Sequence, residues 1–284
     1  MKTKNNISMK SLFWMLFFFG VTVGQFAQAT GPRVSTHLLS QGVPVYALDY
    51  PPYVSTEITS GGLDVEIIDT VFQAAEVEAS LSTLPLKNMV KYYLTQENAI
   101  AVLGHKMSFS EQQKKTLIYI PISVINEKYY YYKPDQNAVL SWQGDLNNLK
   151  GLTYGTFKGD KVSAYKEAGI EIKYSKPRKL LKKLKSNKVD FIKLPELSAK
   201  WMINKYDAVE SENYVPMKTV IAARPSFIIF NKKHPDGERV AELFQRTLTN
   251  MVEDGRYQAI VEKYQTEASQ AERYINQLQG FRNE

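Results

Sequence analysis

The sequence predicts a mixed α/β protein built as two lobes, and three observations support this. Short apolar stretches of strand length alternate with stretches of helical periodicity, as in βαβ units around a largely parallel sheet. The chain contains two such sets, the second beginning after Pro134. Extended segments near residues 130–137 and 212–222 lead from one set to the other and back. Two crossovers imply a hinge, with a ligand cleft between the lobes.

The first set is expected to form lobe 1, residues 30–134 with the returning segment 222–284. Gly61 and Gly62 break the chain before a stretch in which Leu63, Ile67 and Val71 recur at helical spacing. The elements predicted for this set are a strand at 43–48, a helix at 63–77, a strand at 79–84, a helix at 87–96, a buried strand at 99–103, a polar helix at 108–115 and an extended segment at 118–132.

The second set is expected to form lobe 2, residues 135–221, before the chain returns to lobe 1. Its predicted elements are strands at 152–156, 171–174 and 189–194, and helices at 162–168, 177–186 and 198–204. After it the pattern predicts an extended segment at 220–230, a long amphipathic helix at 237–253 and a last helix at 257–277.

The first 29 residues have the pattern of a secretory signal peptide. Three lysines precede an apolar stretch from Leu12 to Val23, and Ala27 and Ala29 are the small residues that a signal peptidase recognises. Cleavage before Thr30 is therefore expected. The alternative is a membrane anchor, but about 20 apolar residues are needed to span a bilayer. With no cysteine for lipidation or disulfides, the expected location is the periplasm.

Charge and aromatic residues are unevenly distributed. A basic stretch covers residues 173–188, where Leu180, Leu181 and Leu184 recur at helical spacing, so its lysines are interpreted as the solvated face of a helix. A nucleic-acid patch is the alternative there. Four consecutive tyrosines, Tyr129 to Tyr132, should alternate between the two faces of a strand. Packing in the core is expected for them, with an aromatic wall over a ligand as the alternative.

Several sequence motifs, taken in their order along the chain, resemble those of the family 3 extracellular solute-binding proteins of bacterial ABC uptake systems. The resemblance covers about residues 43–265. The closing motif is the most specific, because a long helix, an Asp-Gly break and Tyr-x-x-Ile-x-x-Lys-Tyr follow one another. The resemblance implies a type II periplasmic-binding-protein fold. The motifs are YPPY (50–53), GGLDVEIIDTVF (61–72), SEQQKKTLIYIPI (110–122), LKGLTYGTFKGD (149–160), LLKKLKSNKVDFI (180–192) and the segment 228–264.

The resemblance also assigns candidate ligand-binding residues in lobe 1. Tyr50 matches the aromatic residue that stacks over the ligand in amino-acid-binding members, and Tyr53 supports it, although both could be packed turn residues. The loop after the strand at 99–103 supplies backbone and hydroxyl groups, which here implicates Gly104, His105 and Ser108. His105 could equally face solvent.

One lobe 1 position departs from the family pattern. Amino-acid binders grip the ligand carboxylate with an arginine, whose fork makes two parallel hydrogen bonds. The matching position here is Gln112, or Gln113 if the register slips by one residue. Glutamine can donate hydrogen bonds but carries no charge.

Lobe 2 departs from the pattern at its two matching positions. Family members bind the carboxylate at a turn that opens a helix, which here is Gly159, Asp160 and Lys161. Asp160 would repel an anion there, or it caps the following helix, which is the favoured interpretation. The family's ammonium-binding aspartate is replaced by Pro195, with Glu196 one place later. Glu196 could bind a cation or be a surface residue at a helix start.

These residues predict a periplasmic protein that closes two lobes over a small polar solute, an amino acid or related compound, for uptake through the membrane permease of an ABC transporter. The alternative is a solute sensor for a membrane receptor. A dehydratase on the same fold is disfavoured, because no general acid faces a carboxylate-binding arginine. No enzyme activity, cofactor, metal or nucleic acid is expected, and the protein should be a monomer.

Overall fold

A computed structural model describes residues 42–84, 99–104, 109–133, 140–265 and 268–283. The predicted signal peptide, the helix predicted at 87–96, and the candidate site residues His105 and Ser108 lie outside these ranges. Part of the first predicted crossover, residues 134–137, lies outside them as well. None of the described helices is both long and apolar enough to cross a membrane.

The helices and strands follow the predicted order closely. The strands are β1 Val43–Ala47, β2 Ala79–Thr83, β3 Ala101–Gly104, β4 Leu117–Tyr132, β5 Thr153–Thr156, β6 Glu171–Tyr174, β7 Phe191–Pro195, β8 Tyr214–Pro216 and β9 Ala222–Asn231. The helices are α1 Leu63–Ala74, α2 Glu111–Lys114, α3 Ser163–Glu167, α4 Pro177–Lys185, α5 Glu196–Asp207, α6 Gly237–Glu253, α7 Arg256–Tyr264 and α8 Ala268–Arg282. Short 3-10 helices cover Leu146–Leu149 and Ala208–Asn213.

The described strands form one mixed sheet in the order β2-β1-β3-β9-β4-β7-β5-β6, with β8 paired to β4. The strands at each end pair in parallel, β2-β1-β3 on one side and β7-β5-β6 on the other. Between them β4 and β9 pair antiparallel over ten residue positions. These two long strands therefore join the two α/β sets.

Separate hydrophobic clusters support the two sets. The largest packs α1, α6, α7 and α8 against β1, β3, β4 and β9. Two others lie on opposite faces of the second set: Tyr130 joins one with the buried leucines of α4, while Tyr129 and Tyr131 join the other. The prediction that these tyrosines pack in the core on alternating faces is confirmed.

The β4 strand is irregular where it enters the hinge. The register with β9 shifts between Pro121 and Ser123, and Val124 lies opposite Pro225, which has no N–H to donate. The backbone groups left over must find other partners because they are buried.

Three tyrosine hydroxyls from separate parts of the chain bond to this irregular segment. Tyr257 of α7 donates to the Ile122 carbonyl at 2.8 Å, and Tyr53 lies 3.4 Å from the Val124 carbonyl. The Val124 N–H donates to the hydroxyl of Tyr274 in α8, also at 2.8 Å. The hinge strand is thus held by the turn after β1 and by both C-terminal helices.

The prediction of one last helix over 257–277 is wrong. The chain is extended at Gln265, which separates α7 from α8. The break has a packing reason, since α7 lies against α1 whereas α8 lies against β4. A single straight helix could not place both Tyr257 and Tyr274 at the hinge.

Replacing Tyr274 with Phe should destabilise the protein by about 1–3 kcal/mol, because the buried Val124 N–H would lose its acceptor. Urea unfolding monitored by circular dichroism measures this loss. Tyr174→Phe is the matched control, since Tyr174 is 43% exposed, and it should change stability by less than about 0.5 kcal/mol. Equal stability of both variants would contradict the role assigned to the Tyr274 hydroxyl.

Candidate functional site

A cavity of about 290 Å³ lies where the carboxyl ends of β1 and β3 meet the hinge strands. Three of the predicted site residues, Tyr50, Tyr53 and Gly104, line it together. Tyr50 and Tyr53 lie on the turn after β1, and Gly104 ends β3. The full lining is Leu48, Asp49, Tyr50, Tyr53, Val54, Asp64, Leu103, Gly104, Ile125 and Ser226.

The two tyrosines of the turn have different environments. Their rings stack 5.6 Å apart with an interplanar angle of 14°. Tyr53 is 2% exposed and belongs to the core, whereas 38% of Tyr50 is exposed. Of the two rings, the Tyr50 ring is the one that a solute in the cavity could contact.

Tyr50 remains a neutral hydrogen-bonding group at physiological pH. Burial of its hydroxyl, followed by the nearby Glu127 carboxylate, raises the pKa of Tyr50 to about 12. Glu127 on β4 is itself ion-paired with Arg224 on β9. The Tyr50 hydroxyl can therefore donate or accept a hydrogen bond, but it supplies no negative charge.

The turn is fixed against the start of α1. The N–H groups of Leu63 and Asp64 donate to the carbonyls of Pro52 and Tyr53, each at 2.9 Å. Gly62 has φ +104, and a Cβ there would lie 2.4 Å from the Pro52 oxygen. Only glycine fits this position, so the Gly-Gly break seen in the sequence positions the ring of Tyr50.

Asp64 places a buried carboxyl group in the wall of the cavity. It is 2% exposed, and its Oδ2 accepts a hydrogen bond from the Ser226 hydroxyl at 2.8 Å. Its Oδ1 has no hydrogen-bond partner among the described residues, although the Ser123 hydroxyl is nearby. Burial raises the pKa of Asp64 to about 6, and the two serine hydroxyls offset this only in part.

On the second set, Gly159, Asp160 and Lys161 lie in the turn between β5 and α3, where Gly159 and Lys161 are exposed and Asp160 is half-buried. The Asp160 carboxylate accepts hydrogen bonds from Thr156 at 2.7 Å and Tyr154 at 2.8 Å, and lies 3.2 Å from the Lys193 ammonium. Burial alone would raise the pKa of Asp160, but these three partners hold it below its usual value. Asp160 is therefore charged, and its charge is balanced by Lys193 of the same α/β set.

The favoured interpretation of Asp160 as a helix cap is wrong. Helix α3 begins at Ser163 with Val162 at its N-cap position and no side-chain cap. The Asp160 side chain instead bonds back to β5 and across to Lys193, because the strand presents two hydroxyls to it. Gly159 has φ +103 with open space around it, so the turn itself requires that glycine.

The two remaining described candidates do not line this cavity. Gln112 is exposed on the single turn of α2, whose capping box uses Ser110 and Gln113. Glu196 begins α5 and is ion-paired with Lys128 at 2.6 Å. Glu196 lines a different cavity, of about 220 Å³, which lies between α5 and the α7–α8 junction.

Two contacts connect the turn after β1 with α5 of the second set. The Ser198 hydroxyl donates to the Pro51 carbonyl at 2.7 Å, and Lys205 is ion-paired with Glu57. Ser198, Ser226 and Asp64 were not predicted from the sequence as site residues. Only Asp64 had a recognisable signal, since it lies within the GGLDVE motif.

The buried carboxyl group of Asp64 should make stability depend on pH. Its pKa of about 6 in the folded state exceeds the value of 3.8 for an exposed group, so between these pH values only the unfolded chain loses the proton. Stability should therefore fall as pH rises through this window. Asp64→Asn lacks this titrating group, so its free energy of unfolding should not fall in the same way. Relative to wild type, the free energy of unfolding of the variant should rise by up to about 3 kcal/mol between pH 4 and 7.

Chemical unfolding at a series of pH values measures this difference. The control is Glu78→Gln, which removes an exposed carboxylate just before β2, and its profile should parallel that of wild type. Parallel profiles for Asp64→Asn and wild type would show that folding leaves the pKa of Asp64 unchanged, which would contradict the effect assigned to its burial.

Comparison with known proteins is consistent with this architecture. Residues 45–267 match the model of the bacterial extracellular solute-binding proteins, family 3. Comparison with curated proteins gives no significant match. The chain resembles a probable amino-acid ABC transporter extracellular-binding protein, ytmK, from Bacillus subtilis, with a TM-score of 0.62 and 18% identity over 78% of this chain and 97% of that one.

Two further solved structures share the fold. One is an arginine transport system periplasmic binding protein from Legionella pneumophila (TM-score 0.57, 17% identity, 79% of this chain and 99% of that one). The other is a histidine kinase sensor domain with similarity to periplasmic binding proteins (TM-score 0.57, 18% identity, 79% and 97%). The predicted type II periplasmic-binding-protein fold is confirmed. The chain belongs to family 3 of the bacterial extracellular solute-binding proteins.

Proposed function

We propose that this solute-binding protein captures a small polar solute in the cavity beside Tyr50 and carries it to a membrane partner. The observation that supports this most strongly is the ring of Tyr50, exposed over a cavity while its turn is fixed by Gly62 and α1. A fixed turn keeps the ring in place before the solute arrives, which lowers the entropic cost of binding.

The charges around the cavity favour a solute with a cationic or uncharged group facing lobe 1. Asp49 and Asp64 line the described part of the cavity, and no lysine, arginine or histidine is among its described lining residues. An ammonium group could contact the Tyr50 ring through a cation–π interaction. With Gln112 in place of the family arginine, a carboxylate gains no bidentate partner at that position.

The proposed lobes are residues 30–134 with 222–284, and residues 135–221. Closure would bring the turn of Gly159, Asp160 and Lys161 towards Tyr50. Lys161 is exposed on that turn, so it is the proposed contact for a negative or polar group on the solute. The loop of Gly104, His105 and Ser108 is proposed to complete the site, with the Tyr53 ring stacked on Tyr50. Glu196 lines a separate cavity and is left out of the proposed site.

The proposed partner is the permease of an ABC transporter, and the proposed location is the periplasm after signal-peptide cleavage. The ytmK and Legionella structures, both described as transport binding proteins, support uptake. The likeness to a histidine kinase sensor domain supports a second candidate, in which the bound form signals to a membrane receptor. A permease and ATPase encoded beside this protein would favour uptake, and a sensor kinase would favour signalling.

No enzyme activity is proposed. Among the described residues no group of three His, Cys, Asp or Glu side chains could hold a metal ion. Arg224 on β9 is ion-paired with Glu127, so it does not face a free acid as a dehydratase would require. Turnover of a cyclohexadienyl acid by the purified protein would contradict this.

A thermal-shift screen of amino acids, polyamines, sugars and short peptides should identify a class of solute that raises the melting temperature. For the best solute, Tyr50→Ala should weaken binding at least about tenfold in calorimetry, because the stacking surface is lost. Tyr174→Ala is the matched control, since Tyr174 is similarly exposed but lies on β6, and its affinity should equal that of wild type.

Two outcomes would overturn the proposal in different ways. A flat response to every class of solute would argue against solute capture itself. A clear ligand whose affinity is unchanged in Tyr50→Ala would keep the function but place the site elsewhere in the protein.

A further inference from the structure

Basic side chains are concentrated in one part of the chain. Residues 135–221 hold 16 Lys and Arg against 10 Asp and Glu, a net charge of +6. Residues 30–134 with 222–284 hold 17 against 19, a net charge of −2. The positive charge that remains after signal-peptide removal therefore lies entirely in the second α/β set. Such an asymmetry orients a protein towards a negatively charged surface.

The excess is concentrated on α4. This helix buries Leu180, Leu181 and Leu184 against the sheet, and residues 175–189 contain no acidic side chain. Its opposite side and flanks form a surface that we call the α4 basic face. It consists of the exposed side chains of Lys176, Arg178, Lys179, Lys182 and Lys188.

The acidic groups next to this face are already neutralised by another lysine. The Lys185 ammonium lies 2.9 Å from the Asp207 carboxylate and 3.0 Å from that of Glu210. A hydrogen bond from Lys185 is the main cause that lowers the pKa of Asp207. Hydrogen bonds from Tyr132 and Lys185 lower the pKa of Glu210. Within the described part of the chain, no residue of the α4 basic face forms an ion pair. Their charges are thus available to a partner.

A groove of about 420 Å³ runs along the same side, between α4 and α5. Arg178 and Lys182 line it together with Tyr206 and the Lys185–Asp207 ion pair. The Arg178 guanidinium lies 5.1 Å from the centre of the Tyr206 ring, which is 41% exposed. Exposed tyrosine beside basic residues is typical of surfaces that contact the headgroup region of a membrane.

We propose that the α4 basic face and this groove dock onto an anionic phospholipid membrane, with lipid phosphates over Arg178 and Lys182. Helix α4 extends for about 14 Å, so its face is long enough to contact several headgroups rather than one phosphate. Its leucines are buried, so the contact would be electrostatic and reversible without insertion. It would hold the protein close to its membrane partner independently of the solute.

Vesicle co-sedimentation of the mature full-length chain tests this. Binding to phosphatidylcholine vesicles that contain about one third phosphatidylglycerol should exceed binding to pure phosphatidylcholine at least tenfold in about 0.05 M salt, and should disappear in about 0.5 M salt. Each basic residue near an anionic bilayer strengthens binding roughly fivefold. The variant R178Q/K179Q/K182Q should therefore bind about a hundredfold more weakly.

The matched control is K115Q/K232Q/K233Q, which removes the same charge from exposed lysines of the first set and should bind like wild type. An equal loss in this control would show that net charge alone drives binding. Calorimetric binding of inorganic phosphate without vesicle binding would assign the groove to a free anion. Absence of both would show that the face is merely solvated. Each of these three outcomes overturns the proposal.

Discussion

The pairing of β4 with β9 is the interaction on which the rest of the structure depends. Both sets of parallel strands are attached to these two strands, so every residue of the cleft is positioned relative to them. The register shift after Pro121 interrupts this pairing next to Phe227, where the pairing of β3 with β9 ends. The hydroxyls of Tyr53, Tyr257 and Tyr274 supply the missing partners. An irregular segment that would otherwise be a weak point is thereby fixed from three sides.

This arrangement connects the proposed binding site with the hinge through the side chain of Tyr53. Tyr53 stacks on Tyr50 at the cavity and also reaches the Val124 carbonyl in β4. A solute that contacts the Tyr50 ring would therefore contact a ring that stacks on Tyr53, and the Tyr53 hydroxyl bonds to the hinge strand. A ligand can shift the open–closed balance only through its different affinity for the two states. Contacts so close to the hinge are well placed to differ between them.

The strands and most helices could be predicted because apolar periodicity reports on burial, as in α6 and the alternating tyrosines of β4. The turn of Tyr50 was also predictable, since it depends on Gly61 and Gly62 nearby in the sequence. Contacts between residues that are distant in the sequence could not be predicted. Asp160 lies against Lys193, Glu196 pairs with Lys128, and the end of α7 depends on where α8 packs. Such contacts exist only once the sheet is assembled, which is why the cap assigned to Asp160 was wrong.

The proposed site for the solute is the cavity beside Tyr50. A crystal structure of the protein purified without denaturation, so that it retains any solute from the cell, tests this most directly. We expect electron density for a small polar molecule against the Tyr50 ring, with its cationic or uncharged end towards Asp49 and Asp64. A solute bound between other surfaces, with the Tyr50 ring covered only by protein, would contradict it.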